Sequence, residues 1–472
     1  MSVSVMDEVR GADFGDERLS RRLGKIAEEF ASRPNISIPA ATTSRAEMEA
    51  AYRFFDNRKV HRDKILEPHF LATRNRIRQC DFVVLVQDTT ELDMTRPTRQ
   101  VRGAGPMDSE ARRGAFWHPL KAFDLNAIPL GSVWQKSWAR AGIETELTPE
   151  EKTEKRKETP IEEKESIRWV EGLRAARETA KACPHTTCVC VGDSESDIYE
   201  LFSESRETPT HNLELLTRAC QTRATTDQSN CLEKARATPC LYTCSLDVSA
   251  RHGKIAPEKQ GKRGQTREAR LAEVEIRATT VTLRPPYRFD RRLPEVTVNV
   301  VLVEEPHPPE GCEPIQWVLI TTLPIADSEQ VRKIVTAYCV RWQIEIFFKT
   351  LKTGCRVEQR QFETLDRMLN CLAVYSIVAW RIMYLCRLGR ECPDLSCEVV
   401  FEPCEWKAVY TAVTRKQLPE SPPRLNDMIR MIASLGGYVI RKSTQPGPQT
   451  LWIGLQRVQD LSTAWNAFGP DS

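Results

Sequence analysis

No uninterrupted apolar run in this sequence approaches the roughly 18 residues that a membrane-crossing helix needs. The richest stretch, 371–380, is too short. The opening, MSVSVMDEVRGADFGDE, lacks the basic and apolar regions of a secretory leader. A cytoplasmic protein with no membrane partner is therefore expected. Internal repeats and low-complexity tracts are also missing, which argues against a solenoid or a disordered tail. Cysteine is plentiful, at 16 residues, but paired CxxC knuckles are not there. The nearest pairs are Cys188 with Cys190, Cys240 with Cys244, and Cys392 with Cys397. Cys183, His185 and Cys188 cluster, yet no second ligand pair follows at finger spacing. Buried or reduced thiols are the expected state, and the sequence assigns them no role.

With 472 residues, 40% apolar and 28% charged, the chain has the composition of a globular protein of two or three domains. Its net charge of +3 hides an uneven distribution. From Arg251 to Arg292 there are 12 Lys and Arg against 5 Asp and Glu; from Arg332 to Arg360 there are 7 against 2. Two such stretches fit an anionic polymer better than a uniformly solvated surface.

The first 70 or so residues read as helices. Leu19, Leu23, Ile26 and Phe30 recur at helical spacing up to the break at Pro34. A second helix begins after Ser44, with Glu47 placed to close a capping box. From Phe82 the pattern changes to short apolar runs that read as buried strands, Phe82–Val86 and Thr187–Val191, with two more strands between His118 and Arg140. The stretch 147–166 is charged and apolar-poor, and reads as an exposed connection. After the second buried strand comes a turn and a helix that Ser194 or Ser196 would cap. Residues 205–325 are strand-like pieces, LELLTRA, AEVEIRATTVTLR, EVTVNVVLVEE and IQWVLITTLP, separated by basic or proline-rich turns. Beyond Ser328 the chain is mostly helical, and Gly436-Gly437 marks one helix stop.

One stretch joins charge to pattern: YCVRWQIEIFFKTLK, 338–352. At about 100° per residue, Tyr338, Arg341, Glu345, Lys349 and Lys352 share a stripe about 80° wide on one helix. Val340, Ile344, Phe347, Phe348 and Leu351 form the opposite, core-facing side. The stripe sets a lone acid among bases. The two buried strands each end in an aspartate, Asp88 in VVLVQDTTE and Asp193 in CVCVGDSES, where open α/β sheets place ligand-binding groups. Three carboxylates, Asp88, Asp193 and Glu345, would suit Mg²⁺ or Mn²⁺ and phosphoryl transfer, with the nearby cations gripping phosphates. Turn chemistry accounts for an aspartate after a strand equally well. Glu91, Asp93, Glu195 and Asp197 are rival acids on the same loops.

Tyr338-x2-Arg341-x3-Glu345-x6-Lys352 resembles the Y-(2)-R-(3)-E-(6)-K signature of bacterial insertion-sequence DDE transposases of the insertion-sequence-four type. Other blocks follow in order. QDTT around Asp88 and GDSESDIYELF around Asp193 resemble the blocks that hold the family's two catalytic aspartates. EEKESIRW resembles a linker block. DFGDERLSRRL and IPAATTSRAEMEAAYRFFDN resemble the family's N-terminal DNA-binding domain, and SLGGYVIRKSTQPGPQTLWIGLQRV resembles its C-terminal region.

The resemblance implies an α/β fold with a ribonuclease-H-like catalytic core and a β-strand insertion, flanked by helical N-terminal and C-terminal domains. The segments would be a DNA-binding domain over 1–75, a catalytic domain over 76–395 with its insertion at about 205–325, and a C-terminal, dimerising domain over 396–472. It implies cut-and-paste DNA transposition: end nicking, hairpin formation and opening, and strand transfer. Asp88, Asp193 and Glu345 would hold two Mg²⁺ ions, or Mn²⁺, in each active site. Tyr338, Arg341, Lys349 and Lys352 would grip phosphates, Trp317 would stack on a flipped base, and Arg218 would contact DNA. Arg18, Arg22 and Arg53 are candidates for reading the transposon end. The partners would be double-stranded DNA, both terminal inverted repeats and target, and a second copy in a synaptic homodimer at the bacterial nucleoid. A catalytically inactive or domesticated end-binding protein is the competing reading, as is a ribonuclease-H-like nuclease that cuts without joining.

Overall fold

The computed structural model describes residues 4–42, 44–96, 100–142, 148–248, 268–441 and 444–469. Of the first basic stretch, residues 251–267 lie outside the described residues. The chain is mixed α/β and forms two compact units. The first comprises Met1–Leu147, Ala182–Thr186 and Trp342–Ser472; the second comprises Thr148–Lys181 and Thr187–Arg341. Each unit is assembled from separate stretches of the chain.

Five helices open the first unit: Val5–Val9, Glu17–Ser32, Ile38–Ala41, Arg45–Asp56 and Arg62–Ile77. Glu17–Ser32 starts where the Asp16 carboxylate accepts from the Arg18 N–H at 3.0 Å, and it buries Leu23, Ile26 and Phe30. Ser44 caps Arg45–Asp56 by accepting from the Glu47 N–H at 3.3 Å. Glu47 does not complete the expected capping box, because its carboxylate pairs with Arg22 and Lys25 instead. The longest helix, Leu365–Glu391, starts at a Thr364 cap. It is long and apolar enough to cross a membrane, unlike the uninterrupted runs counted in the sequence, yet 89% of its most apolar window is buried in the protein. Phe30 stacks on its Tyr375 at 4.7 Å, and its Trp380 donates to the Pro129 carbonyl at 2.7 Å. It serves as the core helix of this unit. Helices Pro403–Thr414, Leu425–Leu435 and Pro448–Phe468 follow. Leu425–Leu435 stops at Gly436, and Gly437 takes the left-handed φ of 93° that its position favours.

The strands of the first unit are β1 (Phe82–Gln87), β2 (Thr90–Asp93), β3 (Gly105–Pro106), β4 (Arg113–Phe123) and β5 (Pro129–Trp138). β4 is buried along nearly its whole length and pairs antiparallel with all the others. β1 and β2 share one edge of β4 in unbroken register: Gln87 faces Leu120 and Thr90 faces Trp117. Asp88 and Thr89 therefore sit at a gap opposite Pro119 and His118. Pro119 has no N–H to give the ladder.

In the second unit, β6 (Thr187–Gly192) runs parallel to β7 (Leu213–Arg218). Antiparallel β8 (Tyr242–Val248), β9 (Arg270–Leu283), β10 (Val296–Glu304) and β11 (Gln316–Thr321) extend it in the order β6-β7-β11-β10-β9-β8. The strand-like pieces of 205–325 all become strands; β8 is an addition to them. The stretch read as an exposed connection instead holds a helix, Pro149–Glu158, which a reciprocal Thr148–Glu151 capping box starts. Local capping there outweighs the poverty of apolar residues. Helices Ile167–Ala182, Tyr199–Glu207, Cys231–Arg236 and Ser328–Val340 cover the remaining spans. Neither Ser194 nor Ser196 caps Tyr199–Glu207: the Asp193 carboxylate caps a short 3₁₀ turn, Ser194–Ser196, before it.

A buried polar trio ties the N-terminal helices to β5. Glu8 Oε2 lies 2.5 Å from His69 Nδ1, Arg76 Nη1 donates to Glu8 Oε1 at 2.7 Å, and the Ser132 N–H donates to His69 Nε2 at 3.0 Å. Burial pushes His69 below its ordinary pKa of 6.5, against the opposing pull of Glu8. Burial alone would raise the Glu8 pKa, but the His69 and Arg76 contacts outweigh it and hold the carboxyl low. Both groups resist protonation that the unfolded chain accepts, so their contribution is full above about pH 6.5 and is lost as pH falls. Melting temperature should fall as pH drops from 6.5 to 4. Glu8→Gln should lose about 3 kcal/mol at pH 7 and show a shallower fall below pH 4.5 than the wild type. Parallel pH profiles in calorimetry would refute the assignment.

Candidate functional site

Asp88 is buried in the gap between β1 and β2, and its Oδ1 accepts from the Thr89 N–H at 2.7 Å. His118, fully buried on β4, braces this gap from across the ladder. Its Nδ1 lies 2.8 Å from Thr89 Oγ1 and its Nε2 lies 3.1 Å from Gln87 Oε1, so one ring grips the residues on both sides of Asp88. The sequence reading missed His118. Its signal was available in FWHPLK, a histidine in an otherwise apolar strand, but only the register shows what it faces.

The stretch read as one helix over 338–352 changes pitch twice. Ser328–Val340 ends at Arg341 and Trp342, Gln343–Lys349 restarts the α-helix, and Thr350–Gly354 widens to a π turn. Bonds from Arg341 N to Tyr338 O and from Glu345 N to Trp342 O, both 3.2 Å, wind the junction nearer 120° per residue. The single polar stripe therefore does not carry across. Tyr338 and Arg341 belong to the second unit and are buried; Glu345, Lys349 and Lys352 belong to the first. The apolar side holds as read: Val340, Ile344, Phe347, Phe348 and Leu351 are all buried.

Within the first unit, Glu345 and Lys349 are exposed and in no ion pair among the described residues. Lys352 Nζ lies 3.5 Å from Glu358, whose carboxylate also accepts from the Asp93 N–H at 2.9 Å. The helix of Glu345 is seated on β4. Phe347 and Phe348 pack against Trp117 at 6.0 and 6.2 Å. Lys121 Nζ lies 3.6 Å from the Phe347 ring centroid and donates to Ser132 Oγ at 2.6 Å. The same strand thus braces the Asp88 gap through His118 and the Glu345 helix through Trp117 and Lys121.

In the second unit, Asp193 follows β6. Its Oδ1 accepts from the Glu195 N–H at 2.8 Å, and its backbone carbonyl accepts from Ser196 Oγ at 2.6 Å and Thr217 Oγ1 at 3.2 Å. Gly192 makes this possible: a Cβ there would sit 2.4 Å from Ser196 Oγ and 3.0 Å from Trp169. Arg218 Nη2 donates to Ser194 Oγ at 3.2 Å. β11 pairs Leu319 with Arg218, and Trp317, two residues before it, meets Tyr338 edge to face at 5.2 Å. The Arg341 guanidinium lies 5.7 Å from the Tyr338 ring centroid. Burial raises the Tyr338 pKa; Arg218 and Arg341 oppose it, while Asp193 adds to it. The Tyr338 hydroxyl is buried without a well-formed hydrogen bond. Five residues read from the sequence, Asp193, Arg218, Trp317, Tyr338 and Arg341, thus form one polar cluster.

All four rival acids are committed elsewhere. Arg112 pairs with Asp93 at 3.1 Å and Glu91 at 3.4 Å, Arg168 with Glu195 at 3.1 Å, and Arg223 with buried Asp197 at 2.6 Å. Among the described residues, no group of three or more His, Cys, Asp or Glu side chains is arranged to hold a metal ion. As donors, the carboxylates of Asp88, Asp193 and Glu345 have the hard-oxygen chemistry that Mg²⁺ and Mn²⁺ take. None of the 16 cysteines is in a disulfide. Of the N-terminal arginines, Arg18 pairs with Asp16 at 2.9 Å and Arg22 with Glu47, whereas Arg53 is exposed and in no ion pair among the described residues.

Two stability predictions follow from the seat of the Glu345 helix. Phe347→Ala should cost about 3–5 kcal/mol in denaturant unfolding. Burial pushes the Lys121 amine well below its ordinary pKa, so the folded state bears a desolvation cost at neutral pH. Lys121→Met should leave stability unchanged or raise it. A loss above about 2 kcal/mol would mean that the Ser132 and Phe347 contacts outweigh desolvation.

Comparison with known proteins places these features in sequence order. Residues 3–60 match the transposase DNA-binding family, 170–379 the transposase DDE domain, and 377–464 the transposase Tn5 dimerisation domain. Asp193, Arg218, Trp317, Tyr338, Arg341 and Glu345 fall inside the DDE match; Asp88 lies before it. Among solved structures, a cryo-EM structure of the piggyBac transposase synaptic complex with hairpin DNA is similar at 8% identity and TM-score 0.37, over 97% of this chain and 74% of that one. That likeness is too loose to bear on fold or activity. Three transposase family models, for a DNA-binding domain, a DDE domain and a Tn5-type dimerisation domain, thus match successive stretches of this one polypeptide, each over less than half of it.

Proposed function

We propose that the protein is a cut-and-paste DNA transposase of the insertion-sequence-four type, with a ribonuclease-H-like core and the Tyr-Arg-Glu-Lys signature at Tyr338, Arg341, Glu345 and Lys352. The observation that carries the reading is the DDE-domain match over 170–379, together with the Asp193–Arg218–Trp317–Tyr338–Arg341 cluster inside it. Asp88, Asp193 and Glu345 are the proposed ligands of two Mg²⁺ or Mn²⁺ ions. The commitment of all four rival acids to arginines favours this choice. The bound ions would supply an activated water or hydroxyl and offset charge on the leaving oxygen.

The chain's own residues would do the rest. Arg341 and Arg218 would meet the scissile phosphate, and Tyr338, whose hydroxyl is buried without a good partner, would donate to it. Lys349 is exposed and ready to bind phosphate; Lys352 would exchange Glu358 for DNA. Trp317, half-exposed and set by Tyr338, would stack on an unpaired base during hairpin formation. In the N-terminal domain Arg53 is free to contact a terminal repeat, while Arg18 and Arg22 would first give up Asp16 and Glu47. The sequence of reactions would be nicking, hairpin formation, hairpin opening and strand transfer, each a phosphoryl transfer with a different nucleophile. A dimer on paired ends, acting on the bacterial nucleoid, completes the proposal.

Purified protein, incubated with its native element on a supercoiled plasmid and Mg²⁺, should release hairpin-ended DNA on a denaturing gel; Glu345→Gln should release none. Shifted but uncut DNA from both would establish an end-binding protein instead. His118→Ala should slow end cleavage about 10–100-fold, the usual cost of losing a partner behind a metal ligand, while end affinity changes less than about threefold. Unchanged cleavage would mean that Asp88 does not depend on that brace.

A further inference from the structure

The loop between β9 and β10, Arg284-Pro-Pro-Tyr-Arg-Phe-Asp-Arg-Arg292, has no part in the site described above. It shows two aromatic rings to solvent: Tyr287 is 79% exposed and Phe289 is 74% exposed, among the most exposed large apolar side chains of the described residues. Rings are normally buried, so two such rings one residue apart form a surface that lacks its partner. Arg288 between them turns inward and donates to Glu200 at 2.6 Å. Arg291 pairs with Glu162 at 3.3 Å. Tyr199 holds both feet of the loop, its hydroxyl donating to the carbonyls of Pro294 at 2.8 Å and Leu283 at 3.2 Å. The loop is therefore moored from beneath, with its rings held outward. Arg284 and Arg292, at its two ends, are exposed and in no ion pair among the described residues.

The arrangement is two outward rings between two unspent guanidiniums. A protein partner would have to be acidic and apolar at once. A duplex would present base edges and sugar–phosphate, not base faces. Unpaired nucleic acid presents both groups the loop can use: base faces for the rings and phosphates for the arginines. We propose that the β9–β10 loop binds a single-stranded stretch of DNA, Tyr287 and Phe289 stacking on bases while Arg284 and Arg292 hold the flanking phosphates. The proposed transposase activity supplies only the identity of the polymer as DNA; the stacking surface itself does not depend on that activity.

The test uses the full-length protein without divalent metal, so that it does not depend on cleavage. A single-stranded oligonucleotide carrying 5-iododeoxyuridine is irradiated with the protein, and the adduct is mapped by mass spectrometry. Adducts on Tyr287 or Phe289, absent with the same sequence as a duplex, are expected. Tyr287→Ala/Phe289→Ala should weaken single-strand affinity at least about fivefold, and Arg284→Ala/Arg292→Ala should lower the salt slope by about 1.4, two phosphates at about 0.7 each. All four side chains are exposed, so both double variants should fold, which circular dichroism checks. Adducts confined to other residues, or affinity and slope unchanged in both variants, would overturn the proposal. Neither result would bear on whether the wild type excises its element.

Discussion

Strand β4 is the constraint on which the first unit depends. It is buried nearly end to end and pairs with four other strands, so its residues are held by neighbours along both of its edges. At 119 a proline gives the ladder no N–H, and Asp88 lies opposite it in register. Next to the proline, His118 closes the gap with two side-chain contacts, and Trp117 and Lys121 seat the helix of Glu345. A buried carboxylate whose two neighbours are both gripped by one histidine is held closely in place. Under the proposed function, such fixity would let Asp88 meet a cation without reorganising.

The second unit solves a similar problem with a parallel strand pair. β6 ends at Gly192, whose missing side chain lets Ser196 fold back onto the Asp193 carbonyl, and Thr217 of β7 reaches the same carbonyl. Asp193 is thus held by its backbone, while Arg218, Tyr338 and Arg341 gather positive charge and one hydrogen-bond donor beside it. Arginine also pairs with the neighbouring acids: Arg112 with Glu91 and Asp93, Arg168 with Glu195, and Arg223 with Asp197.

Much of this was legible in the sequence where a local rule governs. The continuous apolar runs gave β1 and β6 to within a residue, and alternation gave β7, β9, β10 and β11. The core face of 338–352 followed from spacing alone. What escaped reading depends on partners distant in sequence. The pitch change at Arg341 and Trp342 breaks a wheel that assumes a constant turn. The loss of the Glu47 capping box depends on Arg22 and Lys25 from another helix. His118 looked like any core histidine until register set it against Thr89. The free exposure of Arg53 beside the committed Arg18 and Arg22 likewise has no sequence signal.

The central proposal is that Asp88, Asp193 and Glu345 are metal ligands. Replacing Mg²⁺ with Fe²⁺ in the DNA-bound protein and adding ascorbate and peroxide generates hydroxyl radicals at the ion, which cut the nearest backbone. The account predicts cuts clustered at three places, near residues 88, 193 and 345, all suppressed together by excess Mg²⁺ and by Glu345→Gln. Cuts near only one or two of these, or cuts that persist unchanged in Glu345→Gln, would contradict it.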